Sequence, residues 1–405
     1  MKRTRTALLC AAILIAATLQ IAATLQIRAG VAAPDREQPA CAGSSKPAGQ
    51  ARRIVDVAKR AQKDLDLEAV LLRVTEGGKE IVTAALGESM TGVPATAAMN
   101  FRAGSVAIAY MGTILLQLVD EKKAGLDDPV SRWLPDIPHG AEITLRDLGS
   151  STSGLRDYVT DPAFIAAFYA DPFRRWTPQQ AVAFSLSHPL WYEPGTNWSY
   201  SHANFQFLGA ALEKISGEPL DKLLEKRILG PLGLHSTRNS FTPEIPSPVL
   251  HSFDAERGTY EESTFWNPSW TTAPGAVITT NICDLARSAQ AIGSGELLSK
   301  RAYGVQLNPG TVGLGRPTST CPASVCLRNT EAMHFGVGLI VEKGWILQNP
   351  SFAGYAAIQA YLPAERLSVA VATTVGRKAP GNNTAQTVAQ RIAELLAPGH
   401  PLTNG

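Results

Sequence analysis

The chain has 405 residues, of which 45% are hydrophobic and 18% charged, a composition typical of a folded protein with one large domain or two packed ones. Its 37 Lys and Arg residues nearly balance 35 Asp and Glu residues, and the formal charge of +2 excludes the basic excess typical of nucleic-acid binding. The seven His residues form no HExxH pattern and the five Cys residues form no CxxC pair. The sequence therefore predicts neither a metal site nor a cofactor.

The N-terminus has the order of an export signal. Basic side chains among the first five residues precede an uncharged apolar run over residues 7–27, and small residues at 31–33 precede Pro34. We predict a signal peptide over residues 1–33, cleaved after Ala33, and a location outside the cell or in the cell envelope. A tandem repeat of IAATLQ lengthens the apolar run towards membrane-spanning size. An uncleaved anchor or a lipid anchor stays open, and membrane contact is predicted only for this segment.

The predicted elements place sheet-forming segments at both ends of the chain. A flexible lead-in over residues 34–50 is followed by helices and strands whose apolar spacing fits periods of 3.6 and 2. The predicted helices cover residues 51–64, 105–121 and 383–396, and the predicted strands cover 69–74, 80–86, 337–341, 356–362 and 367–374.

Between these ends, residues 127–300 alternate short helical segments with loops rich in Pro, Gly and Trp. We therefore predict an α+β fold with an antiparallel sheet formed by both chain ends and flanked by helices. Within a domain over residues 51–400, the sheet lobe comprises 51–100 and 330–400 and the largely helical lobe comprises 101–329. A cleft between the lobes is the expected position of a functional site.

Four cysteines remain after the predicted cleavage, an even number suited to an oxidising compartment. Cys321 and Cys326 bracket four residues of a loop, and we predict a disulfide between them. The alternative is two free thiols. Aromatic residues of the middle segment have two alternative roles, ligand stacking or packing; they are Trp191, Tyr192, Trp198, Trp266 and Trp270.

Six blocks, taken in chain order, resemble the serine β-lactamase and DD-peptidase superfamily, in the branch of class C β-lactamases, D-alanyl-D-alanine carboxypeptidases and related esterases. The resemblance covers residues 54–396 and implies a β-lactamase or penicillin-binding-protein-like transpeptidase fold. The blocks are FRAGSV at 101–106 with GLDDPV at 125–130, TSGL at 152–155 with Asp157-Tyr158, PGT at 194–196 with SYS at 199–201, GPLGL at 230–234, DLAR at 284–287, and Gly354-Tyr355 with AYLP at 360–363.

The motifs that carry the chemistry of this family are altered. The resemblance implies Ser105 as the nucleophile, but the lysine expected three residues later is Ile108. The Tyr-x-Asn motif becomes Tyr200-Ser201-His202. The third motif, Lys-Thr-Gly or His-x-Gly in the family, corresponds to residues 348–350 and lacks both its cation and its glycine.

We interpret the protein in two ways. In the first, it is a binding or regulatory pseudoenzyme of the cell envelope in which Ser105 only caps a helix and Tyr200 and His202 are structural. In the second, Ser105, Tyr200 and His202 form an active esterase, amidase or carboxypeptidase, because an imidazole can serve as a base near neutral pH. In both, the resemblance implies Gln348, Asn349 and Gly354 as ligand-binding residues. The expected partners are a cell-wall peptide, a small ester or amide, or an envelope protein, and not nucleic acid.

Overall fold

The computed structural model describes residues 41–403. Its helices concentrate in the middle of the chain, with one further helix at each end. The α-helices are α1 (Gly49–Asp64), α2 (Val106–Asp120), α3 (Leu145–Ser150), α4 (Pro162–Ala170), α5 (Pro178–Leu186), α6 (His202–Ser216), α7 (Leu220–Leu224), α8 (Gly230–Leu232), α9 (Ile282–Gly293), α10 (Lys300–Leu307) and α11 (Thr384–Leu396). Short 3-10 turns cover Val130–Arg132 and Tyr158–Thr160, and a π-helical turn covers Glu225–Leu229.

The strands come mostly from the two ends of the described chain. They are β1 (Leu67–Glu76), β2 (Lys79–Met90), β3 (Val93–Pro94), β4 (Phe101–Arg102), β5 (Arg238–Asn239), β6 (Phe253–Asp254), β7 (Glu261–Glu262), β8 (Ile278–Thr280), β9 (Met333–Phe335), β10 (Ile340–Glu342), β11 (Trp345–Gln348), β12 (Ser351–Phe352), β13 (Tyr355–Leu362) and β14 (Leu367–Val375).

One nine-stranded sheet joins the two ends in the order β3-β2-β1-β14-β13-β11-β10-β9, with β12 paired to β13. All of its pairings are antiparallel, and β1 and β14 run side by side from Leu67 opposite Val375 to Glu76 opposite Leu367. The prediction that both chain ends build one antiparallel sheet is confirmed.

The sheet lies between two hydrophobic layers because its side chains alternate between its faces. On β14, Val369 and Val371 pack into a core with α1 and α11, whereas Ala370 and Ala372 face the core of the helical lobe. The small alanines let α9 approach this second face closely, where it contacts β13 and β14.

Helix α2 is the centre of the helical lobe. Nearly all of its residues are buried, which is typical of a helix surrounded by protein on every side. It packs against α6, α7, α9 and α10. Its first residue therefore has a fixed position at the boundary between the helical lobe and the sheet.

Two predicted boundaries differ from the structure. The predicted signal peptide and residues 34–40 of the predicted lead-in lie outside the described residues. In the rest of the lead-in, a disulfide joins Cys41 to Cys283, and the Ser44 hydroxyl donates a hydrogen bond to the Glu80 carboxylate. The lead-in is thus anchored to the sheet from residue 41 onwards. Helix α9 falls within the predicted helical lobe but packs on the sheet, because the apolar face of this amphipathic helix covers β13 and β14.

A second disulfide joins Cys321 and Cys326. This pair was predicted from the sequence, whereas the Cys41–Cys283 bond, whose partners lie 242 residues apart, was not. Within residues 41–403, no helix combines the length and apolar character needed to cross a bilayer.

Candidate active site

Ser105 stands immediately before α2, at the floor of a cavity. Gly104 precedes it with a φ of 41°, a conformation that favours glycine, and a side chain there would collide with Pro350. The Ser105 side chain makes no capping bond to the helix, so the capping role is absent. Instead, it interacts with the side chain of Tyr200 and partly offsets the rise that burial causes in the pKa of that hydroxyl. The nucleophile position of the family is therefore kept, together with its tyrosine partner.

Ile108 lies one turn further along α2 and is completely buried. It belongs to the main apolar core, and its carbonyl oxygen packs so tightly against Gly338 that a Cβ at that glycine would come within 2.4 Å. The position that holds a lysine in the family is here an integral part of the core. The isoleucine at this position supplies no charge to Ser105.

Tyr200 is held on the loop before α6. The neighbouring Trp198 donates its indole N–H to the Ser150 carbonyl at 3.0 Å, which fixes this loop to the end of α3. Burial, reinforced by the charge of Asp157, raises the pKa of Tyr200 well above its ordinary value, and the interaction with Ser105 only partly opposes this shift. Tyr200 is therefore a protonated phenol at neutral pH and a weak proton acceptor.

His202 opens α6 and is paired with Asp157. Its Nδ1 lies 3.0 Å and 3.1 Å from the two carboxylate oxygens, and the same carboxylate accepts the His202 backbone amide at 3.1 Å. The imidazole stands edge-on to the Tyr200 ring, with centroids 5.1 Å apart. Because Nδ1 is engaged by Asp157, Nε2 is the nitrogen left for a ligand or a proton.

The third-motif segment also reaches this site. Gln348 and Asn349 line the same cavity as Ser105, and Pro350 packs on Gly104. The side-chain NH2 group of each of these two residues donates a hydrogen bond to another part of the protein. Gln348 donates to the Gly338 carbonyl at 2.7 Å, and Asn349 donates to Gln386 at 2.6 Å. Their free amide atoms replace the cation of the family motif with neutral polar groups.

Gly354 does not join this group. It has a φ of 82°, and a side chain there would meet the Phe253 carbonyl at 2.0 Å. The residue serves the close contact between the β12–β13 turn and β6. It lines a different cavity, so the structure does not bring it to Ser105.

The cavity around Ser105 has a volume of about 560 Å³. Its outer wall is the loop that carries the Cys321–Cys326 disulfide and presents Leu327 and Arg328. Asn197 pins this loop because its side-chain oxygen accepts the amides of Gly315 and Arg316 at 2.8 Å and 2.9 Å. The wall is thus fixed from the same loop that carries Tyr200.

Sequence reasoning missed three residues of the site. Asp157 lies in one of the blocks that resemble the family, but no local pattern indicated that it would pair with His202, 45 residues later. Asn197 and Arg328 carried no motif. Among the residues that line the cavity in the described chain, Arg328 is the only Lys or Arg, and it forms no ion pair there. The cavity therefore offers one unpaired cation beside mainly apolar and neutral polar groups.

Comparisons with known proteins agree with this geometry. The Beta-lactamase family model matches residues 54–394. The chain is 28% identical over 221 residues to the putative penicillin-binding protein PbpX of Bacillus subtilis, covering 53% of each chain. It is 29% identical over 200 residues to the esterase EstB of Burkholderia gladioli, covering 46% of this chain and 51% of the esterase.

Among solved structures, a D-stereospecific amidohydrolase from Streptomyces sp. superposes with a TM-score of 0.69 at 26% identity, covering 85% of this chain and 98% of that one. The chain spans about half the length of the curated relatives it matches. This protein belongs to the Beta-lactamase family, of the penicillin-binding-protein-like serine hydrolases. The resemblance and the fold class predicted from the sequence are both confirmed.

Proposed function

We propose that the protein is a cell-envelope pseudoenzyme of this family, which binds an acyl or peptide ligand in the Ser105 cavity without forming the acyl-enzyme. One observation carries the proposal. Ile108 is buried in the core at the position from which the family lysine acts. A serine hydroxyl is a poor nucleophile until a neighbouring base takes its proton.

Tyr200, the third-motif segment and Arg328 do not replace that lysine. The raised pKa of Tyr200 keeps its hydroxyl protonated, and the cavity wall holds neutral amides where the third motif has its cation. Arg328 supplies positive charge at the cavity wall but no proton acceptor. This arrangement favours ligand binding over acylation.

The ligand classes follow from the chemistry of the cavity and from the named relatives. An unpaired arginine and free amide atoms suit a carboxylate or an acyl-amide group. The relatives are a putative penicillin-binding protein, an esterase and an amidohydrolase. We infer a cell-wall peptide or a small ester or amide as ligand. Two disulfides support the proposed export, because disulfides persist in oxidising compartments.

Intact-mass spectrometry tests the loss of acylation. The purified protein and Ser105→Ala are incubated with a penicillin and, separately, with a fluorophosphonate. We expect no mass increase with either reagent, and binding of penicillin by calorimetry without turnover. A mass increase that disappears in Ser105→Ala would overturn the proposal. Failure to bind any acyl compound in calorimetry would equally contradict the ligand class.

One observation favours a second function, a serine hydrolase with a histidine base. Asp157 holds the His202 imidazole through Nδ1 and leaves Nε2 free, and Tyr200 contacts both His202 and Ser105. In this mechanism, Ser105 attacks the acyl carbon while His202 Nε2 takes the hydroxyl proton. The leaving group then takes that proton, and water releases the acyl group.

Turnover of an ester or amide by the wild type and by His202→Asn separates the two functions. His202→Asn restores the asparagine of the family motif but removes the base, and should abolish turnover. A rate that is unaffected by His202→Asn would rule out this mechanism.

A further inference from the structure

A second cavity, of about 520 Å³, lies beyond β12 from the Ser105 cavity. It is bounded by α4, the β6–β7 hairpin and the ends of β13 and β14. Ser351 lines both cavities, so β12 forms the partition between them. Gly354 lies in the wall of this second cavity.

One wall of the second cavity is aromatic. The Trp270 ring contacts Phe168 and Phe352, with centroid separations of 5.3 Å and 5.7 Å. Phe164 extends this wall at 5.7 Å from Trp270. The faces of such rings carry partial negative charge and attract cations.

The lining of the same cavity includes Asp254, which is only 4% exposed. Its carboxylate accepts the Glu256 amide at 2.6 Å, and within residues 41–403 it forms no ion pair with Lys, Arg or His. Burial, reinforced by the charges of Glu256 and Glu261, raises the pKa of Asp254 to about 6. A buried carboxylate without a positive partner is costly unless a cation binds it.

The other charged and titratable groups at this cavity do not neutralise Asp254. Glu256 is a second acid and accepts the Tyr169 hydroxyl. Arg377 also lines the cavity, but its guanidinium lies over the Tyr260 ring, 5.4 Å from the ring centroid. Arg257 is paired with Glu261 at 3.2 Å. The described lining of the cavity therefore holds two acids, Asp254 and Glu256, against one base, Arg377, whose guanidinium is directed to the Tyr260 ring.

We propose that this second cavity binds an organic ammonium ion with an apolar body, with Asp254 as counter-ion and the Trp270 wall as the cation–π surface. A primary amine on an alkyl or aryl group, such as the amine of a peptide or of a diamino acid, has this chemistry. The apolar body packs on the aromatic rings while the ammonium reaches the carboxylate. This binding does not depend on the reactivity of Ser105, because neither Asp254 nor Trp270 lines the Ser105 cavity.

Calorimetry on the full chain at pH 7.5 tests the proposal, with 2-phenylethylamine as the probe and the uncharged 2-phenylethanol as its matched control. We expect the amine to bind at least tenfold more tightly than the alcohol. Asp254→Asn should reduce amine affinity at least tenfold. Glu365→Gln removes an exposed acid on the β13–β14 turn, outside the cavity, and should leave it unchanged.

Two further measurements distinguish loss of the binding site from misfolding of a variant and from failure of the proposed function. In the wild type, affinity should fall as Asp254 is protonated between pH 7.5 and 5, and binding near pH 6 should release protons, seen as a buffer-dependent heat. Ser105→Ala should bind the amine normally. Equal affinity for amine and alcohol, no binding to the wild type, or an unchanged affinity in a folded Asp254→Asn would each overturn the proposal.

Discussion

Asp157 and His202 lie 45 residues apart in the chain, and their side chains meet through bonds of 3.0 Å and 3.1 Å at the edge of the Ser105 cavity. The same carboxylate accepts the backbone amides of Val159 and His202. It therefore ties a 3-10 turn, the first residue of α6 and the imidazole to one another. The second proposed chemistry of the site depends on this contact, because it fixes the orientation of the imidazole.

Replacing Asp157 should destabilise the fold. Asp157→Ala leaves two backbone amides and a ring nitrogen without their acceptor, and we expect a loss of about 1–3 kcal/mol in the free energy of unfolding. Asp157→Asn keeps an oxygen for the amides and should lose less. Denaturant unfolding measures the difference, with the exposed Asp136→Ala as control. Equal stabilities for Asp157→Ala and that control would show that the pairing contributes nothing.

Ile108 should not tolerate the charge that the family places there. Ile108→Lys puts an ammonium into an apolar core, and we expect a loss of more than about 3 kcal/mol or failure to fold. Ile108→Val removes one methylene and should cost about 0.5–1.5 kcal/mol. Chemical denaturation compares the two variants. A Lys variant of wild-type stability that forms a penicillin adduct would mean that the cleft had lost only its lysine.

The two disulfides should differ in their contribution. The Cys41–Cys283 bond closes a loop of 242 residues, whereas Cys321–Cys326 closes one of 5. The chain-entropy model predicts stabilisation of about 5 kcal/mol for the long loop and about 2 kcal/mol for the short one. Thermal unfolding of the two Cys-to-Ala double variants checks the ranking. The opposite order would mean that strain or local packing, not loop closure, determines their effect.

Asp254 should make stability depend on pH in a defined direction. Because its folded pKa of about 6 lies above the ordinary aspartate value, the native state binds more protons than the unfolded chain between pH 4 and 6. Its contribution therefore becomes less favourable as pH rises through this window, by about 1–2 kcal/mol.

Asp254→Asn removes that titration. The stability of this variant relative to the wild type should improve by the same amount between pH 4 and 7.5, as measured by urea unfolding at both values. Glu365→Gln serves again as the control. A constant difference between Asp254→Asn and wild type across the range would contradict the raised pKa.

Local patterns in the sequence determined the elements with strong periodicity. The predicted helix at 105–121 became α2, and the predicted strands at 356–362 and 367–374 became β13 and β14, because their burial patterns are continuous. The family motifs placed Ser105, Tyr200 and Gln348 around one cavity, since the order of blocks along the chain fixes where they lie in a shared fold. The departures from the family motifs at residues 108, 202 and 348–350 were also visible in the sequence alone.

The tertiary structure decided the contacts between distant segments. No local sequence pattern indicated that Asp157 would bind His202, that Cys41 would form a disulfide with Cys283, or that Gly354 would line a second cavity. Each depends on how loops of the helical lobe pack against the sheet, and loops carry no periodicity that fixes their path. The side chain of Asp254 shows the same limit. An exposed-looking acid in a hairpin becomes a buried, unpaired carboxylate only because α4 and the sheet enclose it.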